Sequence, residues 1–207
     1  MTFLIQQTLI YAVPLMIVAL AGVFAERSGI INLALEGIMV FGAFIGVWFV
    51  RILQTSDAIL SLKQSGNWAA LQGVELLTML VAAAFGALFS LLLSFASINL
   101  RADQTIGGTA LNQFAPAFAV VMTWAIQGQG LTTIFIPNWV RITRDTFGLA
   151  PVDGPSFWNN LIFKYFYLTT PIAVILFIVA YIVMYKTRFG LRLRACGENP
   201  QAADSLG

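Results

Sequence analysis

Four polar side chains interrupt otherwise apolar runs, and their types and spacing make them the best candidates for chemistry in this sequence. Asn32 and Glu36 are four residues apart, a spacing that puts them on one face of a helix. Asn112 and Gln113 are adjacent later in the chain. Polar groups in apolar segments are costly and usually face protein or water. They could line a polar path or fix the backbone beside one. Alternatively, Glu36 lies near the membrane–water interface and pairs with Arg27, while the amides form hydrogen bonds between helices.

The residue types that most enzymatic and metal chemistry needs are missing. The 207 residues include no His and one Cys, Cys196, which excludes zinc sites of the Cys/His type and a Ser-His-Asp triad. No Gly-Lys pair occurs, so there is no phosphate-binding P-loop. The net charge of +2 is small, and the positive residues lie at segment ends, which argues against nucleic acid as a partner. We therefore expect no catalytic residue, no metal and no cofactor.

The composition indicates that lipid surrounds most of the chain. Hydrophobic residues make up 59% and charged residues 10%, whereas soluble domains carry roughly 25% charged residues. Five apolar stretches are long enough to cross a bilayer as helices. They are residues 1–25, 29–50, 76–98, 105–126 and 165–185. The predicted fold is all-α, a polytopic transmembrane helical bundle that forms a single domain over residues 1–207.

The segments between the apolar stretches predict the loops and the orientation. Residues 131–140 are apolar but too short to span, and we expect an interfacial or re-entrant segment there. Residues 54–73 and 141–160 are mixed and read as extramembrane loops. A basic cluster follows the fifth stretch, which places that end in the cytoplasm by the positive-inside rule. Its members are Lys186, Arg188, Arg192 and Arg194.

Small residues repeat at helical spacing in the second and third stretches. Gly42 and Gly46 are four apart in the second stretch. In the third, the small residues at intervals of four are Thr78, Ala82, Gly86, Ser90 and Ser94. Such a ladder lets a neighbouring helix backbone approach closely. We interpret it as a helix-packing face; the alternative is a flexible seam in a transport cycle.

The end of the chain carries a strong helix-start signal. Asn199 followed by Pro200 is typical of an N-cap and a first helical position. The residues that would share one face of this helix are Ala202, Ala203 and Leu206. A short cytosolic helix with a small apolar face suits a docking site. Alternatively, residues 187–207 are an ordinary juxtamembrane segment whose basic residues meet anionic lipid.

Three blocks of sequence carry a family resemblance. Residues 26–44 read ERSGIINLALEGIMVFGAF, residues 101–112 read RADQTIGGTALN, and residues 188–207 read RFGLRLRACGENPQAADSLG. In this order they resemble the inner-membrane permease subunits of bacterial ABC importers of the branched-chain amino acid, ribose and nucleoside type. The third block resembles the cytosolic coupling segment that docks on the ATPase subunit. The first block is most similar to the nucleoside and simple-sugar branch.

The resemblance implies a permease subunit that moves a nucleoside or simple sugar inward and does no covalent chemistry. Asn32, Glu36, Asn112 and Gln113 become candidates for its substrate path. The candidate ATPase-coupling residues are Glu198, Asn199, Pro200, Ala202, Ala203, Asp204 and Leu206. The alternatives are a branched-chain amino acid permease of the same family, a self-contained secondary transporter and a membrane-embedded enzyme.

The resemblance also implies an assembly in the bacterial inner membrane. The expected partners are ABC ATPase subunits, a second permease subunit in a homodimer or heterodimer, an extracytoplasmic substrate-binding protein and membrane lipid. Family members continue past the coupling segment with several more spans. The chain is therefore expected to be the N-terminal part of a longer family domain, with residues 187–207 as its cytosolic coupling segment.

Overall fold

The computed structural model describes residues 2–128, 130–136, 138–142 and 166–205, and this part of the chain is mostly helical. The α-helices in it are α1 (Thr2–Arg27), α2 (Leu35–Leu53), α3 (Asp57–Gln64), α4 (Trp68–Ile98), α5 (Gln104–Gln127), α6 (Thr169–Lys186), α7 (Arg188–Glu198) and α8 (Pro200–Ser205). Two short strands, β1 (Arg141–Ile142) and β2 (Phe166–Tyr167), form an antiparallel pair.

Five of the described helices, α1, α2, α4, α5 and α6, are long and apolar enough to cross a membrane. They confirm the predicted all-α, polytopic transmembrane bundle. Their outward faces are rich in exposed apolar side chains, such as Leu15 at 63% and Ile175 at 58% exposure, as expected of surfaces that contact lipid. The chain is thus an integral, multi-pass membrane protein.

Three predicted span starts were wrong. The second span begins at Leu35 instead of residue 29, because the residues after α1 form a turn. The third begins at Trp68 instead of residue 76, because Asn67 caps α4 and accepts a hydrogen bond from the nitrogen of Ala70 at 3.2 Å. The predicted loop 54–73 therefore holds α3 and the first turns of α4. The fifth span begins at Thr169 instead of residue 165, because Phe166 and Tyr167 belong to strand β2. Of the predicted loop 141–160, residues 143–160 lie outside the described residues.

The centre of the bundle is the packing of α2 on α4 and α5, while α1 packs mainly on α6. At one end, a buried cluster joins Val50 of α2, Ile59 of α3, Leu71 of α4 and Trp139. Trp139 belongs to a single 3-10 turn, Asn138–Val140. The apolar segment 131–140, predicted as interfacial, thus ends by packing on this end of the bundle; Pro137 lies outside the described residues.

Candidate functional site

The opposite end of the bundle gathers several of the sequence-predicted residues around the turn between α1 and α2. Helix α1 ends with a Schellman motif. Gly29 has a φ of +78°, the Ile30 nitrogen donates to the Ala25 oxygen at 3.1 Å, and the Gly29 nitrogen donates to the Glu26 oxygen at 3.0 Å. This motif reverses the chain within a few residues, so that the start of α2 returns into the bundle.

Asn32 lies in this turn and not on a helix. Its Oδ1 accepts a hydrogen bond from the Ala34 nitrogen at 3.0 Å, a local bond that competes with helical geometry. Glu36 lies in the first turn of α2 and is exposed, a favourable place for a carboxylate at a helix N-terminus. The expectation that Asn32 and Glu36 share one helix face was therefore wrong.

Asn112 reaches across from α5 and holds the start of α2. Its Oδ1 accepts a hydrogen bond from the Gly37 nitrogen at 2.6 Å, and its Nδ2 donates to the Leu33 oxygen at 2.5 Å. Ala34, the N-cap residue of α2, provides no side-chain cap. The N-terminal N–H groups of a helix have no partner within it, so Asn112 serves as an N-cap supplied by another helix.

The helices approach closely enough around Asn112 that side chains are excluded. A methyl group added to Gly37 would lie 2.7 Å from the Leu111 oxygen. One added to Gly108 would lie 3.0 Å from Cβ of Leu33. Both glycines are buried. The turn and the first turn of α2 are thus in close contact with the first half of α5, and the amide of Asn112 fills the space between them.

Gln113 faces away from this contact and is exposed. A cavity of about 230 Å³ lies near the turn, between α4 and the start of α5, and its polar lining comes from Asn32, Ser90 and Gln104 among others. The four candidate path residues therefore have different environments, although Asn32 and Asn112 both bond the backbone of this turn. Asn32 lines a cavity, Asn112 bonds backbone, and Glu36 and Gln113 are exposed.

The small residues of α2 and α4 lie against one another. A methyl group added to Gly42 would lie 3.1 Å from the Ala82 oxygen and 3.8 Å from Cα of Gly86. One added to Gly46 would lie 3.1 Å from Cβ of Ala82. Ser90, further along α4, donates to the Ala87 oxygen at 2.7 Å. The small residues thus let the backbones of α2 and α4 approach closely over two turns. Ser90, the next small residue of α4, lines the cavity beside the α1–α2 turn.

The end of the chain forms two successive helices. Thr187 caps α7, since its Oγ1 accepts a hydrogen bond from the Gly190 nitrogen at 3.2 Å. Asn199 caps α8 as its sequence indicated, because its Oδ1 accepts from the Ala202 nitrogen at 3.1 Å. Glu198, Pro200, Ala202 and Asp204 are exposed, and Ala203 is half-buried. Leu206 lies outside the described residues.

Two features were missed by the sequence analysis. Glu75 of α4 is 5% exposed, and its Oε2 has no hydrogen-bond partner among the described residues. Its position at the edge of a long apolar run is a signal that the sequence analysis could have used. Phenylalanines of α2, α4 and α5 also stack: Phe41 lies 4.4 Å from Phe89, and Phe114 lies 5.6 Å from Phe118, between ring centroids. Phe114 is 51% exposed. Phe114 and Phe118 are four residues apart on α5, but Phe41 and Phe89 come from different helices, so no local pattern predicts that pair.

These features define the class of protein: it is a polytopic membrane protein. Two short helices, α7 and α8, lie at the end of the bundle that holds the α1–α2 turn. The described residues contain no cluster of potential metal ligands. The chain belongs to the family described as the permease component of branched-chain amino acid transport systems, which matches residues 4–207.

The chain is similar in sequence to several curated ABC transporter permeases. The guanosine ABC transporter permease protein NupQ of Bacillus subtilis is 36% identical over 207 residues, which are 100% of this chain and 59% of the relative. The nucleoside ABC transporter permease protein NupC of Lactococcus lactis is 39% identical, covering 99% of this chain and 58% of the relative. A putative glucose ABC transporter permease protein of Haloferax volcanii, TsgC13, is 26% identical over 99% of this chain and 54% of its own length. The chain thus spans little more than half the length of these relatives. No solved structure matches it significantly.

Proposed function

We propose that this chain is the membrane-spanning subunit of an ABC importer that carries nucleosides inward across a bacterial inner membrane. The observation that carries the proposal is the similarity to NupQ and NupC, at 36% and 39% identity over essentially the whole chain. Both relatives are named as permeases of guanosine or nucleosides. The sequence has no P-loop of its own, so ATP hydrolysis falls to separate subunits.

The ATPase partner would dock on α8 and the residues beside it. Pro200, Ala202 and Asp204 are exposed on α8, which Asn199 caps. Glu198, at the end of α7, and Asn199 itself are exposed beside it. A capped helix offers a preformed surface, which lowers the ordering cost of binding. The basic cluster nearby lies where anionic lipid headgroups would meet it. Leu206 would extend the docking surface.

The substrate path would run along the exposed face of α5, where Gln113 and Phe114 are neighbours. An exposed aromatic ring offers a stacking surface to a nucleobase, and an amide offers a donor and an acceptor. Asn32 and Glu36 would lie at the inner end of this path. A second permease subunit, in a homodimer or heterodimer, would face the path, and an extracytoplasmic binding protein would deliver the nucleoside.

Deletion of residues 198–206 from the complete gene product tests the docking assignment. We expect membrane insertion to persist while co-purification of the ATPase subunit is lost. Unchanged co-purification would show that the docking surface is elsewhere. The matched control deletes three exposed residues of α3, Ser61, Lys63 and Gln64, which lie at the other end of the bundle.

Uptake in cells tests the substrate and the energy source. We expect radiolabelled guanosine to accumulate, and unlabelled nucleosides to compete where glucose and leucine do not. An ATPase subunit with an inactive nucleotide site should abolish uptake. Persistent uptake would favour a self-contained secondary transporter, and competition by leucine would favour a branched-chain amino acid permease.

A further inference from the structure

The end of α7 is in direct backbone contact with the turn between α1 and α2. A methyl group added to Gly29 would lie 3.1 Å from Cα of Gly197 and 3.3 Å from its oxygen. One added to Gly197 would collide with the Arg27 oxygen and lie 3.0 Å from the Gly29 nitrogen. No side chain separates the two segments, so a displacement of α7 meets backbone atoms directly.

The other end of the same turn is held by Asn112. Leu33 and Gly37, on either side of the N-cap of α2, are both hydrogen-bonded to its amide. The Schellman motif fixes the first residues of the turn, and the Asn32–Ala34 hydrogen bond fixes the last. Residues 28–34 therefore form a short, internally bonded segment between α7 on one side and α5 on the other.

We propose that residues 28–34 are the mechanical linkage that passes movement of α7 and α8 to α2 and α5. This rests on the proposed function, in which α8 is the ATPase docking helix. Close-packed segments move together because a gap forfeits their dispersion contacts and an overlap is strongly repelled. Gly197 is the contact point at the cytosolic helices. Asn112 is a positioning residue that ties the turn to α5, and not a ligand of the substrate.

The linkage is tested with Gly197→Ala in the complete gene product, co-expressed with its ATPase subunit. The matched control is Gly73→Ala on α4, where an added methyl would have no atom of the described residues within 4 Å. We expect Gly197→Ala to keep ATPase co-purification and to lower nucleoside uptake about tenfold, within the range of substitutions along a coupling route. Gly73→Ala should match the unsubstituted protein.

The linkage would be overturned if Gly197→Ala took up as much nucleoside as the control. It would also be overturned if Gly197→Ala lost ATPase co-purification, because Gly197 would then act in docking. If the unsubstituted protein takes up no nucleoside, the proposed substrate is wrong, and uptake cannot test the linkage. Uptake also cannot test it if Gly197→Ala fails to accumulate in the membrane. In both cases a distance measurement tests the linkage instead.

That measurement places spin labels on the exposed Cys196 and on Ile31→Cys, at a side chain that is 60% exposed, with no other thiols present. A reference pair joins Cys196 to Ser61→Cys at the other end of the bundle. Between the nucleotide-free and vanadate-trapped complexes, we expect the reference distance to change and the Ile31–Cys196 distance to stay the same. Separation of Ile31 from Cys196 would overturn the linkage.

Discussion

The Oδ1 atom of Asn112 accepts a hydrogen bond from the backbone nitrogen of Gly37 at 2.6 Å, although the two residues are 75 positions apart in sequence. The amide of a helix in the middle of the bundle thereby caps the beginning of another helix. Gly37 is buried, and a buried N–H group that loses its hydrogen-bond partner costs free energy. The packing of α5 against α2 therefore stabilises the start of α2.

Asn112→Leu should destabilise the protein. The apolar side chain removes both hydrogen bonds of the amide and leaves the Gly37 nitrogen and the Leu33 oxygen without those partners, at a cost of about 2–4 kcal/mol. Thermal unfolding in detergent measures the effect. Gln113→Leu, at the exposed neighbouring position, is the matched control and should change stability by less than about 0.5 kcal/mol. Equal melting temperatures for the two variants would contradict the capping role.

Gly42→Leu should separate α2 from α4. An added Cβ already lies 3.1 Å from the Ala82 oxygen, and a larger side chain would have to displace helix backbone, at a cost of about 1–3 kcal/mol or more. Gly73→Leu, in open space on α4, serves as the control. The denaturant midpoint in detergent compares the two variants. The packing interpretation fails if Gly42→Leu is as stable as Gly73→Leu.

Much of this fold was accessible from the sequence. Apolar runs of sufficient length predicted the five spans, because a bilayer requires about 20 apolar residues in a helix. Local caps are also readable, as at Asn199, whose hydrogen-bond partner is three residues away. Both signals depend only on neighbours in the chain.

The arrangement around the α1–α2 turn was not accessible in the same way. Spacing suggested that Asn32 continues a helix, but its side chain bonds the backbone two residues on. The role of Asn112 depends on partners 75 and 79 residues away. The contact of Gly197 with Gly29 also joins residues that are far apart in sequence. Long-range contacts of this kind follow from helix packing and leave no local pattern.

Asp103 should make the stability of the protein depend on pH. Its carboxylate caps α5, and hydrogen bonds from the backbone of Ile106 and Thr105 lower the pKa of this exposed side chain below its ordinary value. The folded state thus favours the charged form. The stabilisation is present above the unfolded pKa of about 4 and is lost as the pH falls through the lower folded pKa.

Asp103→Asn tests this dependence, because the amide oxygen can still cap the helix but does not titrate in this range. Melting temperatures in detergent are compared for both proteins between about pH 7 and pH 3. The difference between the two melting temperatures should be constant above about pH 5. Below about pH 4 the melting temperature of the unsubstituted protein should fall relative to that of Asp103→Asn. A difference that does not vary with pH would rule out the contribution of Asp103.

Glu75 should be replaceable by an apolar residue without loss of stability. The side chain is 5% exposed, and in the described part of the chain its Oε2 has no hydrogen-bond partner. Burying it therefore costs free energy that no described contact offsets. Glu75→Leu removes this unsatisfied group at similar volume, and we expect the melting temperature in detergent to stay the same or rise. Leu71→Ala, one turn earlier and fully buried, is the contrasting variant and should cost about 2–5 kcal/mol.

A marked loss of stability in Glu75→Leu would show that the carboxyl has a partner in the assembled protein. Loss of uptake at unchanged stability would instead show that the importer uses this carboxyl.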